Sequence, residues 1–176
     1  MRRKDKEITN PEEIEDLLSS AMVGRLGTCL DSIPYITPVN FVYDKGKIFF
    51  HSAPDGRKIT NIMSNPKVCF EIDDAKSIIP RQSPCASTTE YKSVIIFGDI
   101  KFVTDITEKT YALNKLIEKY ARQSPKISLT SEAEKRSNIL RTSVLERTLV
   151  LVIGVKELSA KQSPVSKKTI TDPSKK

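Results

Sequence analysis

Residues 47–70 read KIFFHSAPDGRKITNIMSNPKVCF, and this stretch organises the rest of the 176-residue chain. Its hydrophobic pattern predicts a strand, a tight loop, a short helix and a second strand. Arg57 and Lys58 stand at the predicted helix start, and the only histidine, His51, stands at the end of the first strand. Unpaired N–H groups and the helix dipole make such a start favourable for a phosphate. Without further context, the same pattern is typical of a surface loop with two solvated cations.

The residues at this helix start differ in what they offer an anion. Arg57 presents a planar fork of N–H donors, whereas Lys58 presents a mobile point charge. Gly56 has no side chain, so the backbone there can approach a ligand closely. The pattern therefore indicates a candidate anion site at the start of the short helix.

Signals elsewhere in the chain predict a small, mainly β fold of the α+β type. Strands are predicted at residues 23–30, 33–43, 47–52, 68–73, 94–103 and 149–155. Helices are predicted to begin after Asn10, after Asp105 and at Ser131, in addition to the short one. Residues 74–89 contain two prolines and no clear period, so a loop is expected there. Six mostly antiparallel strands with helices between them predict a small β-barrel.

Periodicity also predicts which side chains are buried. One face of strand 33–43 is expected to present Ile33, Tyr35, Val39, Phe41 and Tyr43. The short helix is expected to bury Ile59, Ile62 and Met63, and the helix after Asp105 is expected to bury Leu113, Leu116, Ile117 and Tyr120. The last strand, at 149–155, is apolar on both faces, which predicts an interior position in the sheet.

The excess of basic residues lies at the two ends of the chain. Residues 1–7 hold four cations and two acids, and residues 156–176 hold six lysines and two acids, out of a net charge of +7. We therefore expect a basic arm at 1–7, one domain at 8–161 and a basic, disordered tail at 162–176. A nearly neutral body does not favour a specific nucleic-acid face.

The cysteine and histidine content bears on metal sites and on the cellular compartment. Cys29, Cys69 and Cys85 are far apart in the sequence, and with a single histidine they do not favour a zinc site. Their odd number and their spacing are typical of a reduced, cytoplasmic protein. The charged N-terminus does not resemble a signal peptide, and the apolar run at 149–155 is too short to span a membrane.

Residues 35–73, YITPVNFVYDKGKIFFHSAPDGRKITNIMSNPKVCFEID, resemble the flavin-binding split barrels of the pyridoxamine 5′-phosphate oxidase superfamily. Within it they are most similar to the 5-nitroimidazole-resistance-like branch. The similarity extends to residues 23–30 and 91–105 and covers most of 8–161. It rests on His51, Gly56-Arg57-Lys58, Asn65-Pro66 and Ser93-Val94 in this order. The resemblance implies a six-stranded antiparallel Greek-key split barrel with flanking helices.

The same resemblance implies a homodimer that binds two FMN molecules at its interface. It places the phosphate against Arg57 and Lys58, in agreement with the anion site inferred from the residues. It places the isoalloxazine along Pro38, Val39, Asn40, His51, Ser52 and Ala53, with Ser93 as a further contact. FAD, a deazaflavin and haem are the alternative cofactors. The chain lacks the long basic C-terminal substrate motif of true pyridoxamine phosphate oxidases, so vitamin B6 oxidation is not implied.

Three functions remain open on this reading. The first is an FMN-dependent oxidoreductase, a flavin reductase or nitroreductase-like enzyme that takes electrons from a nicotinamide and reduces a small organic substrate. The second is a flavin-binding protein without dedicated turnover. The third is a small barrel that binds single-stranded nucleic acid through its basic ends. His51 would contact the flavin and, in the first case, is a candidate for proton transfer; a packed structural histidine is the alternative.

Overall fold

A computed structural model gives the fold of residues 3–122, 145 and 147–163. These residues contain seven strands: β1 Gly24–Leu30, β2 Ile33–Val39, β3 Val42–Asp44, β4 Lys47–Ser52, β5 Lys67–Ile79, β6 Thr88–Phe102 and β7 Leu149–Gln162. The α-helices with defined bounds are α1 Pro11–Ser20, α2 Arg57–Ser64 and α3 Ile106–Arg122. Short 3₁₀ turns occupy Lys4–Lys6 and Pro84–Ala86.

The seven strands form one antiparallel sheet in the order β2-β1-β5-β6-β7-β4-β3. The two edge strands, β2 and β3, are consecutive in the chain and are joined by only Asn40 and Phe41. The sheet must therefore curl until its edges approach each other at this link. No hydrogen-bonded ladder joins β2 to β3 within the described residues, so the barrel is split along this line. The mainly β split-barrel prediction is confirmed.

The predicted strand number of six is wrong, because the predicted strand at 33–43 is two strands. The chain leaves the sheet at Asn40 and Phe41 and re-enters it at Val42. The backbone of Phe41 bonds there to the hydroxyl of Tyr120 on α3 instead of to a neighbouring strand. The alternation of apolar side chains predicts one continuous strand at 33–43. A hydrogen bond between residues 79 positions apart divides it into two strands.

The apolar residues of β7 serve two separate cores, which explains why this strand is apolar on both faces. Leu151 and Ile153 pack inside the barrel with Phe41, Phe50 and Phe70. Val150 faces the other way and packs with side chains of β4 and α3, including Phe49, Leu113 and Leu116. The interior position predicted for this strand is confirmed, since β7 lies between β6 and β4.

Two side chains that were expected to be buried, Met63 and Ile117, are exposed, and so is Ile33, which was placed on the apolar face of its strand. Met63 of α2 is 73% exposed, because the helix turns Asn61 toward the sheet instead. The buried Asn61 amide donates from Nδ2 to Thr28 Oγ1 on β1 at 3.0 Å. Ile33 is 55% exposed because it begins an edge strand, and Ile117 is 40% exposed on the outer side of α3.

Residues 74–89 are not a loop throughout. β5 continues to Ile79 and β6 begins at Thr88, so a long hairpin ribbon extends from the barrel and only its tip is irregular. Residues 73–78 of β5 are exposed, and neither face of the ribbon there packs on a core. A strand without a buried face needs no alternation of apolar side chains, which is why the sequence pattern did not reveal it.

Two of the predicted helix starts agree with the observed caps. Asn10 Oδ1 accepts from the N–H of Glu12 at 2.9 Å, and Asp105 Oδ1 accepts from the N–H of Glu108 at 2.7 Å. The helix predicted from Ser131 lies outside the described residues. No helix in the described part of the chain is both long enough and apolar enough to cross a membrane.

Candidate functional site

The split in the barrel opens into a cleft at the ends of β2 and β4. β3 is three residues long and pairs with β4 only as far as Phe49. His51 and Ser52 lie beyond that ladder and pair with β7 alone. A cleft of about 430 Å³ lies there, bounded by β2, β4 and the start of α2. Its volume is within the usual range for small-molecule sites.

Eight of the nine site residues predicted from the sequence surround this cleft. They are Pro38, Val39, Asn40, His51, Ser52, Ala53, Arg57 and Lys58. Two strands and one helix start that are separated along the chain thus meet around a single space. The structure establishes this proximity, whereas the role of these residues as cofactor contacts stays a prediction.

Tyr35, Thr37 and Asp55 also line the cleft and were not named as site residues from the sequence. A signal for two of them was available. Tyr35 and Thr37 lie four and two residues, respectively, before Val39 on β2, so the period of two places all three on one face. Asp55 had no comparable signal, because it lies in the loop before α2.

The start of α2 is built around a glycine. Gly56 has φ +103° and ψ 167°, a combination that only glycine adopts readily. A Cβ at this position would meet no atom within 4 Å, so the space beside it is open. Gly56 is the N-cap and has no side chain to accept from the first N–H groups of the helix. These groups are therefore available to an anion in the cleft.

The two cations of the cleft lie against aromatic rings. The guanidinium carbon of Arg57 is 4.9 Å from the ring centroid of Tyr35, and Lys58 Nζ is 5.8 Å from that of Phe50. Within the described residues, neither cation has a carboxylate oxygen within 4.0 Å. Partial burial lowers the pKa of Lys58 from its ordinary value. A bound anion would offset that cost of burial.

One buried polar atom of the cleft wall has no partner. Thr37 Oγ1 is buried without a hydrogen bond to any described residue. An unpaired buried hydroxyl costs free energy, which a hydrogen bond to a ligand would offset. Together with the open space at Gly56 and the two unpaired cations, this atom fits a phosphorylated ligand.

Ser93 is the one predicted site residue that does not line the cleft. It lies on β6 opposite Lys161 of β7, whereas His51 lies opposite Val150 of β7. Those two partners are eleven positions apart on β7, so Ser93 and His51 pair with different parts of this strand. Ser93 does not line the cleft, and its contact with a cofactor stays a prediction.

The chemistry available in the cleft is limited. Among the described residues that line it, the exposed His51 is the one imidazole, Asp55 is the one carboxylate, and none is a cysteine. The packed structural histidine considered as the alternative does not describe this exposed position. The cleft residues are suited to binding and orienting a ligand, and they include no nucleophile paired with a base.

Comparisons with known proteins identify the family. The sequence profile named pyridoxamine 5′-phosphate oxidase matches residues 10–161. An uncharacterized protein of Rhizobium meliloti strain 1021 is 30% identical over 91 residues, which are 52% of this chain. The match spans 53% of that protein, about half of its length.

Solved structures share the fold at low sequence identity. A candidate 5-nitroimidazole antibiotic resistance protein from Bacteroides thetaiotaomicron is 22% identical with a TM-score of 0.71, covering 88% of this chain and 85% of the other. The FAD and heme binding protein from Mycobacterium smegmatis is 19% identical with a TM-score of 0.74, covering 90% and 74% of the two chains. At these identities the likeness establishes the fold alone.

Proposed function

The chain belongs to the pyridoxamine 5′-phosphate oxidase family, and on that premise we propose that it is a flavoprotein whose cleft holds FMN. The start of α2 is the observation that carries the proposal. Gly56, Arg57 and Lys58 offer free N–H groups and two cations without a described carboxylate partner. A phosphate monoester, with nearly two negative charges, is the ligand group that such an arrangement favours.

Each part of the cleft has a distinct task in this proposal. Arg57 and the first N–H groups of α2 bind the phosphate, and Lys58 adds a second positive charge. Residues 38–40 form one wall for the flavin ring, and residues 51–53 form the facing wall. The bound ring supplies hydride and electron transfer, so the protein contributes binding, orientation and electrostatics.

We further propose that the protein is an oxidoreductase that uses a nicotinamide to reduce a small organic molecule. His51 supports this function, because its imidazole is exposed at the cleft and histidine is the side chain that most often transfers protons in enzyme active sites. A flavin carrier without turnover is the second candidate. It is favoured by the binding function in the name of the mycobacterial neighbour.

A homodimer is part of the proposal. An apolar groove of about 560 Å³ crosses the outer face of β1, β2, β5 and β6, and Ile36 and Phe97 along it are 66% and 50% exposed. Exposed apolar surface of this kind is typical of an interface. We expect a dimer by light scattering at micromolar concentration. A monomer that binds flavin at full affinity would contradict the idea that two copies build the site.

The absorption spectrum of the purified protein, with mass spectrometry of the released ligand, tests the flavoprotein proposal. We expect flavin bands and about one FMN per subunit. The same experiment identifies FAD, a deazaflavin or haem in its place. Folded, colourless protein that binds neither added FMN nor added FAD would overturn the proposal, and binding of single-stranded DNA by that protein would favour the nucleic-acid alternative.

A turnover assay separates the enzyme from the carrier. The flavin-loaded protein is mixed with NADH or NADPH and a nitroaromatic acceptor, and oxidation of the nicotinamide is followed by absorbance. Oxidation that saturates with both substrates and exceeds the rate of an equal concentration of free FMN is the result expected of an oxidoreductase. A rate equal to that of free FMN would favour the carrier.

A further inference from the structure

The link between β2 and β3 joins the cleft to the barrel core. Asn40 lines the cleft, and the next residue, Phe41, is fully buried. The ring of Phe41 makes an edge contact with Phe70 inside the barrel, with ring centroids 5.0 Å apart. Because this link belongs to no strand, no ladder of backbone hydrogen bonds fixes it. Whatever holds Phe41 also sets the position of Asn40.

Tyr120 of α3 supplies the missing backbone contacts. Its hydroxyl accepts from the N–H of Phe41 at 2.8 Å and donates to the carbonyl of Met22 at 2.7 Å. The carbonyl of Phe41 lies 3.2 Å from the same hydroxyl. Burial raises the pKa of Tyr120, which keeps the hydroxyl protonated and able to donate. One side chain thus ties the link to the segment between α1 and β1.

Lys119, the preceding residue of α3, holds the other side of Phe41. Its ammonium lies 3.8 Å from the Phe41 ring centroid, and Nζ donates to the carbonyl of Leu18 at 3.3 Å. Lys119 contacts the ring while Tyr120 contacts the backbone of the same residue. None of the described residues that line the cleft belongs to α3, so this helix would act on the site through the residues it packs against, which include Phe41 of the link and Phe49 of β4.

We propose that Lys119 and Tyr120 are positioning residues that hold Phe41 and thereby set the wall of the cleft at Pro38, Val39 and Asn40. The proposal rests on the proposed function, since the wall matters for a flavin ring. Without the Tyr120 hydroxyl, the N–H of Phe41 would lose its partner and the link could leave its observed position. The wall would then adopt several arrangements, and flavin would bind to only a fraction of them.

The test compares Tyr120→Phe with Tyr111→Phe. Tyr111 is a matched control because it lies on the same helix and its hydroxyl donates to Asp44 Oδ2 at 2.6 Å, outside the cleft. Amide hydrogen exchange of the cofactor-free protein is measured first. We expect exchange at Phe41 to be roughly tenfold faster in Tyr120→Phe, through loss of one buried hydrogen bond, and unchanged in Tyr111→Phe.

Flavin binding is measured next, by fluorescence titration with FMN and by visible circular dichroism of the bound ring. We expect a Kd about tenfold higher and an altered dichroism signal for Tyr120→Phe, with wild-type values for Tyr111→Phe. Wild-type FMN affinity in Tyr120→Phe, even with a lowered melting temperature, would overturn the inference. If the wild-type protein binds no flavin, the proposed function fails, whereas the exchange at Phe41 still reports on the link.

Lys119→Met provides a second variant that keeps the length of the side chain over Phe41. Because it removes a half-buried charge, it is not expected to unfold the protein, and it carries the test if Tyr120→Phe does not fold. We expect FMN affinity to fall about threefold through loss of the contact between cation and ring, without loss of stability. Unchanged affinity and dichroism in this variant would contradict a role for α3 in setting the wall.

Discussion

Arg25 on β1 and Arg57 at the start of α2 are the same residue type in opposite electrostatic environments. Arg25 donates to Glu71 at 3.0 Å and also pairs with Asp73, so the fold itself neutralises its charge. Arg57 lies over the ring of Tyr35 and has no carboxylate within 4.0 Å among the described residues. A cation that is already paired with carboxylates of the same chain has little capacity to bind an anionic ligand. The comparison therefore supports the proposed role of Arg57 in anion binding, whereas the ion pairs of Arg25 indicate a local structural role.

The largest effect is expected from removing the cations of the cleft. Each of Arg57→Ala and Lys58→Ala should weaken FMN binding on the order of 10- to 100-fold, because charge-assisted hydrogen bonds to a phosphate are lost. Titration calorimetry of the cofactor-free protein measures the change. Arg25→Ala is the control and should bind FMN as the wild-type protein does. Equal losses in all three variants would indicate a general electrostatic effect and would break the comparison.

The next largest effect on FMN binding is expected from changing Gly56, whose backbone lies beside these cations. Gly56→Ala should raise the Kd for FMN about tenfold, since the φ and ψ of Gly56 are strained by roughly 1–3 kcal/mol for any other residue. Gly154→Ala is the matched control, because a Cβ there also meets no atom within 4 Å and its φ is not positive. Fluorescence titration compares the two variants. A Gly56→Ala protein with wild-type affinity would show that the phosphate does not depend on this helix start.

A smaller effect, on the free energy of unfolding, is expected at a third cation, Lys119. Burial lowers the pKa of Lys119 to about 8, below the value of 10.5 expected in the unfolded chain. Below pH 8 both states are protonated, and the folded protein bears the full cost of the buried charge. Between pH 8 and 10.5 the unfolded chain binds more protons, so stability rises with pH. Lys119→Met should therefore be the more stable protein at pH 7, by on the order of 1 kcal/mol.

Urea denaturation of both proteins at pH 7, 8.5 and 10 measures this prediction. The advantage of Lys119→Met should shrink as the pH rises through this range, because the wild-type lysine loses its proton in the folded state. A difference that does not change with pH would mean that Lys119 titrates near its ordinary value and that its burial carries little cost.

The smallest effect is expected at the internally paired cation. Arg25→Ala should lower the free energy of unfolding by only about 0.2–1 kcal/mol, because the side chain is half exposed and exposed ion pairs contribute little. Denaturation at low and high salt measures it, and the loss should be smaller at high salt. A loss of several kcal/mol would show that the β1–β5 pairing depends on this charge, which would sharpen the contrast with Arg57.

Local pattern predicted the parts of the fold that depend on neighbouring residues. The strand predicted at 47–52 is β4, and the helix predicted after it begins at Arg57 as observed. The local sequence pattern gave the wrong prediction where a contact with a distant residue determines the structure. The hydroxyl of Tyr120 ends β2 early, and the amide of Asn61 bonds to Thr28, which turns Met63 to solvent. Neither contact leaves a periodic signal in the sequence.

The residues of the candidate site divide in the same way, into those indicated by local sequence features and those whose position depends on distant parts of the chain. Arg57, Lys58 and His51 could be named from a strand end and a helix start, which are local features. Ser93 was grouped with them by resemblance, but the pairing of β6 with β7 places it opposite Lys161, eleven positions along β7 from the partner of His51. That pairing joins distant parts of the chain, so no local feature around Ser93 indicates it.

The edges left by the split bear on how the chain can associate. β2 is an edge strand with prolines at 34 and 38, and β3, the other edge, is three residues long. Proline has no N–H, so a foreign strand that tried to extend the sheet along β2 would lack two donors, and along β3 it would find almost no backbone to pair with. An open barrel is thereby protected from edge-to-edge aggregation. The proposed second copy would instead associate through side-chain packing on the faces of the sheet.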